Sequence, residues 1–173
     1  MVSSKLMIKK IALILSMVLL VCTSAYADKK KKLNEDTERF RYDIEYCKTA
    51  SDGMVMVKVW SYSKRSRLAA AQSRKNAVHG VIFRGYTGST SAASQRPLVN
   101  DPTIESVKAD YFTAFFSDEG PYMRYVSAIT DGSMEVRKVG REYKVGVVVT
   151  VNRDMLRKHL EDANIIRGLN SGF

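Results

Sequence analysis

Few side chains in this sequence could carry acid–base, nucleophilic or metal chemistry. The histidines are His79 and His159, and the cysteines are Cys22 and Cys47. Zinc sites combine such residues at short, regular spacings, and neither histidine has a histidine, cysteine or carboxylate partner at a helical metal-ligand spacing. The sequence therefore predicts no metal ligand, and both histidines are interpreted as structural or solvent-facing.

The remaining candidates for catalysis are two pairs of adjacent carboxylates, Asp118-Glu119 and Glu161-Asp162. Adjacent residues on a helix point in different directions, so neither pair forms an acid–base couple by itself. The sequence has no serine elbow motif and no glycine-rich loop that leads into a helix. We therefore predict no catalytic residue and no cofactor. A hydrolase assembled by folding is a third hypothesis behind the two functions given below.

Basic residues concentrate around the first predicted helix, over residues 67–83. Such a cluster is either a solvated helix face or a docking face for an acidic partner or an anionic envelope polymer. The candidate partner-binding residues are Arg67, Arg74, Lys75 and Arg84.

The first 27 residues have the layout of a secretory signal peptide. Three lysines precede the apolar run of residues 11–21, and Ala25-Tyr26-Ala27 follows as a small-residue cleavage site. The apolar run is short for a membrane span. We expect cleavage after Ala27 and a periplasmic or outer-membrane-associated protein. Lipidation at Cys22 is the alternative, which Val21 disfavours because a small residue normally precedes a lipidated cysteine.

Residues 28–39 are charged and almost free of large apolar side chains, which predicts a basic, flexible N-terminal segment. The lysine run at 29–32 is either a solvated tail or a contact to anionic lipid or polysaccharide, and a contact to lipid would mean peripheral membrane association. Nucleic acid is not expected as the partner of an exported chain.

Since Cys22 falls in the leader, Cys47 has no partner in the mature chain. We expect a small buried thiol there, with an intermolecular disulfide as the alternative.

Residues 40–173 are predicted to form a single α+β domain. Phe40, Tyr42, Ile44 and Tyr46 alternate with polar residues, and Val55, Val57 and Val59 mark the core side of a second strand. An alanine-rich helix and a loop rich in Gly, Ser and Thr at 85–96 follow. Asp101 and Pro102 begin a second helix, near 103–117, whose aromatic residues indicate core packing or a ligand pocket.

The last third of the chain is predicted to be mainly β-structure. A strand over 122–130 and a strand over 133–139 flank Asp131-Gly132, which is a tight hairpin signal. The valine-rich segment 143–151 predicts a central strand covered on both faces. Asn152 caps a final helix that ends near Ala163. The predicted order is β-β-α-α-β-β-β-α, an α+β fold with helices packed on a mainly antiparallel sheet.

Two segments carry a resemblance to a known family. They are the valine strand and alanine-rich helix of residues 55–82, with Ala69-Ala70-Ala71 and Ala77, and the segment 142–160, EYKVGVVVTVNRDMLRKHL. Together they resemble the N-terminal domain family of flagellar assembly protein T. They are also similar to surface-lipoprotein and curli-assembly accessory domains of Gram-negative bacteria. The resemblance implies a small envelope domain that supports outer-membrane assemblies and is not an enzyme.

The sequence thus leads to two main hypotheses. The first is an exported, non-enzymatic cell-envelope protein that binds a protein partner and is accessory to a surface or secretion assembly. The second is a periplasmic module that binds a small ligand with the aromatic helix and the 85–96 loop.

Overall fold

The computed structural model describes residues 40–49, 53–88, 94–128 and 134–168 of the chain. They lie in one compact unit, Phe40–Phe173, and the predicted leader and basic segment lie outside the described residues. Five strands form one open antiparallel sheet with helices packed on it, which confirms the predicted α+β fold. The strands are β1 (Tyr42–Thr49), β2 (Met54–Ser63), β3 (Val126–Ala128), β4 (Glu135–Val139) and β5 (Glu142–Asn152).

Among the described residues, four α-helices lie between and after the strands. They are α1 (Ser66–His79), α2 (Ile104–Val107), α3 (Ala109–Phe115) and α4 (Arg153–Asp162). The second predicted helix is divided at Lys108, whose φ of −109° and ψ of 34° interrupt the helical path between α2 and α3. The N-cap of α2 is Thr103 and not Asp101, whose carboxylate instead forms a turn before the helix by accepting hydrogen bonds from the backbone N–H and the hydroxyl of Thr103 at 2.8 and 2.7 Å. Asn152 caps α4 as predicted and accepts from the backbone N–H of Met155.

The helix α1 covers the valine side of the sheet. Val55, Val57 and Val59 of β2 lie opposite Val151, Val149 and Val147 of β5, so the two strands present one apolar face to α1. Ala69 and Ala77 of α1 are fully buried, and such small side chains allow a helix to approach a sheet closely. The predicted core side of β2 is confirmed.

A five-residue π-helical turn, Gly80–Arg84, continues α1. The segment ends at Gly85, as predicted, with a φ of +67° that glycine adopts readily. The carbonyls of Val81 and Ile82 accept hydrogen bonds from the backbone N–H groups of Leu98 and Val99. The chain after the loop is thereby fixed to the end of the helix.

The strand β5 is central, as predicted. It pairs with β2 on one side and with both β3 and β4 on the other. The expectation that it is covered on both faces is wrong for the described residues. Its helices pack on the valine face, and the opposite face of its neighbours carries charged side chains. An antiparallel sheet tolerates one solvated face, so a valine-rich strand can lie at the centre of such a sheet.

The prediction of a strand over 122–130 is wrong for residues 122–125 and confirmed for residues 126–128. Pro121–Tyr125 forms a 3₁₀-helical turn, Val126–Ala128 is extended, and residues 129–130 lie outside the described residues. The predicted turn at Asp131-Gly132 lies outside the described residues. The flanking strands β3 and β4 do not form the expected hairpin, because both pair antiparallel with β5 and run in the same direction along its edge.

Candidate binding face

The face of the sheet opposite the helices, which we call the open face, carries charged and aromatic side chains. The register places Asp43 opposite Trp60 and Trp60 opposite Gly146 across three neighbouring strands. Glu135 of β4 also lies opposite Gly146 and extends the same row. Because alternate residues of a strand share a face, the sheet brings a group of charged and aromatic residues together around Trp60. They are Asp43, Glu45, Lys58, Trp60, Tyr62, Glu135, Arg137 and Lys144.

Trp60 is the centre of the open face. Its side chain is only 6% exposed although no described helix covers it. Three cationic groups surround the indole ring at 4.5 Å (Lys58), 5.0 Å (Arg137) and 5.2 Å (Lys144) from its centre. These distances are typical of cation–π contacts, and the long alkyl stems of the cations shield the ring from water.

The position of the Trp60 indole ring also requires a glycine at residue 146. A Cβ at that position would lie 2.7 Å from the Trp60 ring, closer than carbon atoms pack. The glycine in the middle of β5 therefore lets the indole lie flat against the sheet.

Carboxylates complete the open face. The indole N–H of Trp60 donates to Glu45 at 2.8 Å, and Asp43 accepts from the Lys144 ammonium at 2.9 Å and from the Tyr62 hydroxyl at 2.7 Å. The hydrogen bond from Lys144 holds the pKa of Asp43 below its usual range.

On the β4 side of the open face, Glu135 has two cationic partners. It forms an ion pair with Lys58 and accepts a hydrogen bond from Arg137 at 3.0 Å. The hydrogen bond from Lys58 lowers the pKa of Glu135. The open face is thus an ordered network of both charge signs around one aromatic ring.

The structure separates the four predicted partner-binding residues into two groups. Arg67 and Arg74 are exposed on α1, where a docking residue should be. Lys75 is only 8% exposed, and its ammonium lies 5.9 Å from the centre of the Phe40 ring. The expectation that Lys75 projects into solvent is therefore wrong, because its side chain is buried beside Phe40.

Arg84 is exposed but is engaged with the backbone. Its guanidinium donates to the carbonyl oxygens of Tyr42 at 3.0 Å and Phe40 at 2.9 Å, and it lies 4.1 Å from the centre of the Tyr42 ring. Arg84 thus joins the start of β1 to the π-helical turn that follows α1.

His79 is a buried structural residue, 3% exposed. Its Nδ1 lies 2.7 Å from the Tyr42 hydroxyl and its Nε2 lies 2.9 Å from a carboxylate oxygen of Glu105. Because an ionised carboxylate only accepts, Nε2 carries the proton and Nδ1 accepts from the hydroxyl. Burial lowers the pKa of His79, and the hydrogen bond from His79 lowers the pKa of Glu105. Phe40 stacks on the imidazole with ring centres 3.6 Å apart.

His159 is half-buried on α4 among aromatic rings. Its Nε2 lies 2.9 Å from the Tyr111 hydroxyl, and its ring stacks on Phe115. The neighbouring carboxylates of Glu161 and Asp162 pair with different cations four residues earlier, Arg157 and Lys158. As expected for adjacent helical residues, they do not form a carboxylate couple.

The described part of the 85–96 loop borders an open groove of about 500 Å³, whose lining includes Ile44, Arg84, Tyr86, Gln95 and Arg96. No residue of α2 or α3 lines this groove. The aromatic residues of α3 instead pack in the core, where Phe112 and Phe115 are 4% and 2% exposed.

The expectation of a buried thiol at Cys47 is wrong, because this side chain is exposed. Tyr42, Ile44 and Tyr46 face the core, and the register of β1 with β2 shifts between Tyr46 and Lys48. Cys47 therefore lies on the outer side of an irregular strand.

The sequence contained part of the signal for the open face. Lys58, Trp60 and Tyr62 alternate with the core valines of β2, which places them together on the polar side. Their partners Asp43, Glu135 and Lys144 come from three other strands. Only the register of the sheet brings those partners to Trp60, so the network could not be found from local pattern.

Within residues 40–49, 53–88, 94–128 and 134–168, no group of three acidic, histidine or cysteine side chains is placed to hold a metal ion. No helix in these ranges combines the length and apolar character needed to cross a membrane. The chain matches no protein-family model, no curated protein and no solved structure.

Proposed function

We propose that the chain is an exported, non-enzymatic protein of the cell envelope that binds a protein partner through the open face. In this proposal it is an accessory to a surface or secretion assembly. The observation that carries the proposal is the composition of the open face, in which a tryptophan lies at the centre of a ring of lysine, arginine and carboxylate groups. Tryptophan, tyrosine and arginine are the residues that contribute most to protein–protein binding.

The energetics of the open face suit a reversible interface. The ion pairs of the cations around Trp60 are partly exposed to solvent, and pairs near the surface contribute about 0–1 kcal/mol each. A partner that supplies its own carboxylates can therefore take over the cations at little cost. The aromatic ring beneath then becomes available as a central, desolvated contact. The predicted leader supports an envelope location for this interaction.

The test compares two double charge reversals that change net charge by the same amount. Lys58→Glu with Lys144→Glu alters the open face, and Arg67→Glu with Arg74→Glu alters the exposed side of α1. Tagged proteins are crosslinked mildly in the source cell envelope, and the captured proteins are identified by mass spectrometry.

We expect the open-face variant to lose a specific partner that the helix variant retains, with both variants folded. Loss of the partner in the helix variant alone would mean that the partner docks on α1. Equal capture by both variants would contradict docking on the open face.

The groove near the 85–96 loop favours a second candidate function. Its volume of about 500 Å³ lies within the range of small-ligand sites, and Arg96 gives it a cationic rim. Native mass spectrometry of the protein purified from its source separates the two functions. A retained small molecule supports the ligand-binding module, and an Arg96→Ala variant should then lose that molecule.

A further inference from the structure

The strand β4 forms an edge of the sheet. It pairs with β5 on one side, and no other described strand pairs with its outer side. Met134, Val136 and Val139 are 55%, 46% and 53% exposed, which is unusual for apolar residues at a sheet edge. An edge strand presents unpaired backbone groups, and exposed apolar side chains make such an edge a site for pairing with another chain.

We propose that β4 pairs antiparallel with β4 of a second copy of this chain, about a two-fold axis at Val136. The axis is perpendicular to the sheet, so each face of one copy continues into the same face of the other. Such an isologous contact closes on itself and gives a dimer rather than a fibre. This inference concerns self-association and goes beyond the proposed partner binding.

The charges of β4 select this register. With the axis at Val136, Glu135 of each copy lies opposite Arg137 of the other, which gives two opposite-charge pairs on the open face. An axis at Arg137 would place two arginines opposite each other, and an axis at Glu135 would place two glutamates opposite each other. A two-fold axis perpendicular to the sheet pairs residues of the same face, so it must pass through a residue position. Of the three positions 135, 136 and 137, only Val136 places opposite charges across the axis.

The apolar residues are consistent with the same register. Val136 lies on the helix side of the sheet, where α1 covers β2, β5 and β3, whereas β4 packs mainly on β5. In the dimer the two copies of Val136 lie opposite each other at the axis. The two copies of Val136, which are exposed to solvent in the single protomer, thus cover each other in the dimer.

The test measures the mass of the mature chain, residues 28–173, by sedimentation over a range of concentrations. Reducing conditions remove any disulfide through Cys47. The variants are Glu135→Arg, Arg137→Glu and the double exchange of both residues. Each single change places two like-charge pairs across the axis, which should raise the dimer Kd about tenfold or more. The double exchange restores opposite charges and should restore dimerisation.

A second pair of variants separates dimerisation from folding. Val136→Lys should give a folded monomer, and Val107→Lys, at a position that is 67% exposed on α2, should leave the dimer intact. Thermal melting verifies that each variant is folded. A wild-type monomer at all concentrations would overturn the proposal, as would a dimer that Val136→Lys leaves unchanged. A double exchange that stays monomeric while folded would overturn the register.

Discussion

His79 joins a phenol and a carboxylate deep in the protein, and this position determines how it responds to acid. Its pKa is lowered from the ordinary 6.5 mainly by burial, while Glu105 acts in the opposite direction. As pH falls below about 6.5, the His79 imidazole becomes protonated in the unfolded chain while it remains neutral in the folded chain. The stability that neutral His79 contributes is therefore present above this pH and is lost progressively below it.

We expect Glu105→Gln to lower the pKa of His79 further. The amide oxygen of glutamine can still accept the hydrogen bond from Nε2, but the negative charge that favours the imidazolium is gone. NMR titration of the two histidine rings measures this effect, with His159 as the internal control because it has no contact with Glu105. A His79 midpoint that stays constant or rises would contradict the assigned hydrogen bond between His79 and Glu105.

At the scale of secondary-structure elements, β5 supports the whole sheet. Val149 is fully buried on its helix face, and Val139 of β4 is 53% exposed. We expect Val149→Asp to prevent folding and Val139→Asp to leave the fold intact. Burial of an unpaired carboxylate costs several kcal/mol, which is comparable with the roughly 5–15 kcal/mol stability of a domain. Circular dichroism on heating measures both variants. Cooperative melting of Val149→Asp near the wild-type temperature would mean that β5 is peripheral.

The same elements show how far the sequence could predict this fold. The alternation of Val55, Val57 and Val59 and the valine run of β5 correctly indicated the paired central strands, because period-two burial is a local property. The α+β class and the end of the first helix segment at Gly85 could also be predicted.

Features that depend on long-range register could not be predicted. The segment 122–130 contains β-prone residues, yet Pro121–Tyr125 forms a 3₁₀-helical turn that buries Tyr122 and Tyr125 in the core. Lys75 and Arg84 were expected to be available for docking, but Lys75 lies over Phe40, just before β1, and Arg84 donates to the carbonyl oxygen of Tyr42. Such contacts join residues more than thirty positions apart, and local spacing holds no information about them.

At the scale of the whole molecule, we expect the exported protein to begin at Asp28. The motivation is the lysine-rich start, the apolar run and the Ala25-Tyr26-Ala27 site. Intact-mass measurement on the protein recovered from the envelope tests this prediction. Replacement of Ala27 by a large residue should slow processing and leave a longer form. A diacylglycerol-modified Cys22 would show that the protein is a lipoprotein instead.

The two proposals for the open face and for β4 combine at this scale. A two-fold axis perpendicular to the sheet would place the open faces of two copies on the same side, as one continuous surface with two tryptophans. A partner with two matching segments could then bind both copies at once. Its apparent affinity would exceed that of a single site without any new kind of contact.

The tryptophan of the open face has a practical consequence for spectroscopy. The sequence contains a single tryptophan, so selectively excited indole fluorescence comes from Trp60 alone. Ammonium and guanidinium groups around the ring and a carboxylate on its N–H make this emission sensitive to any displacement of those side chains. The native protein thus carries its own optical reporter at the place where we propose that its partner docks, and a titration can follow docking without a label.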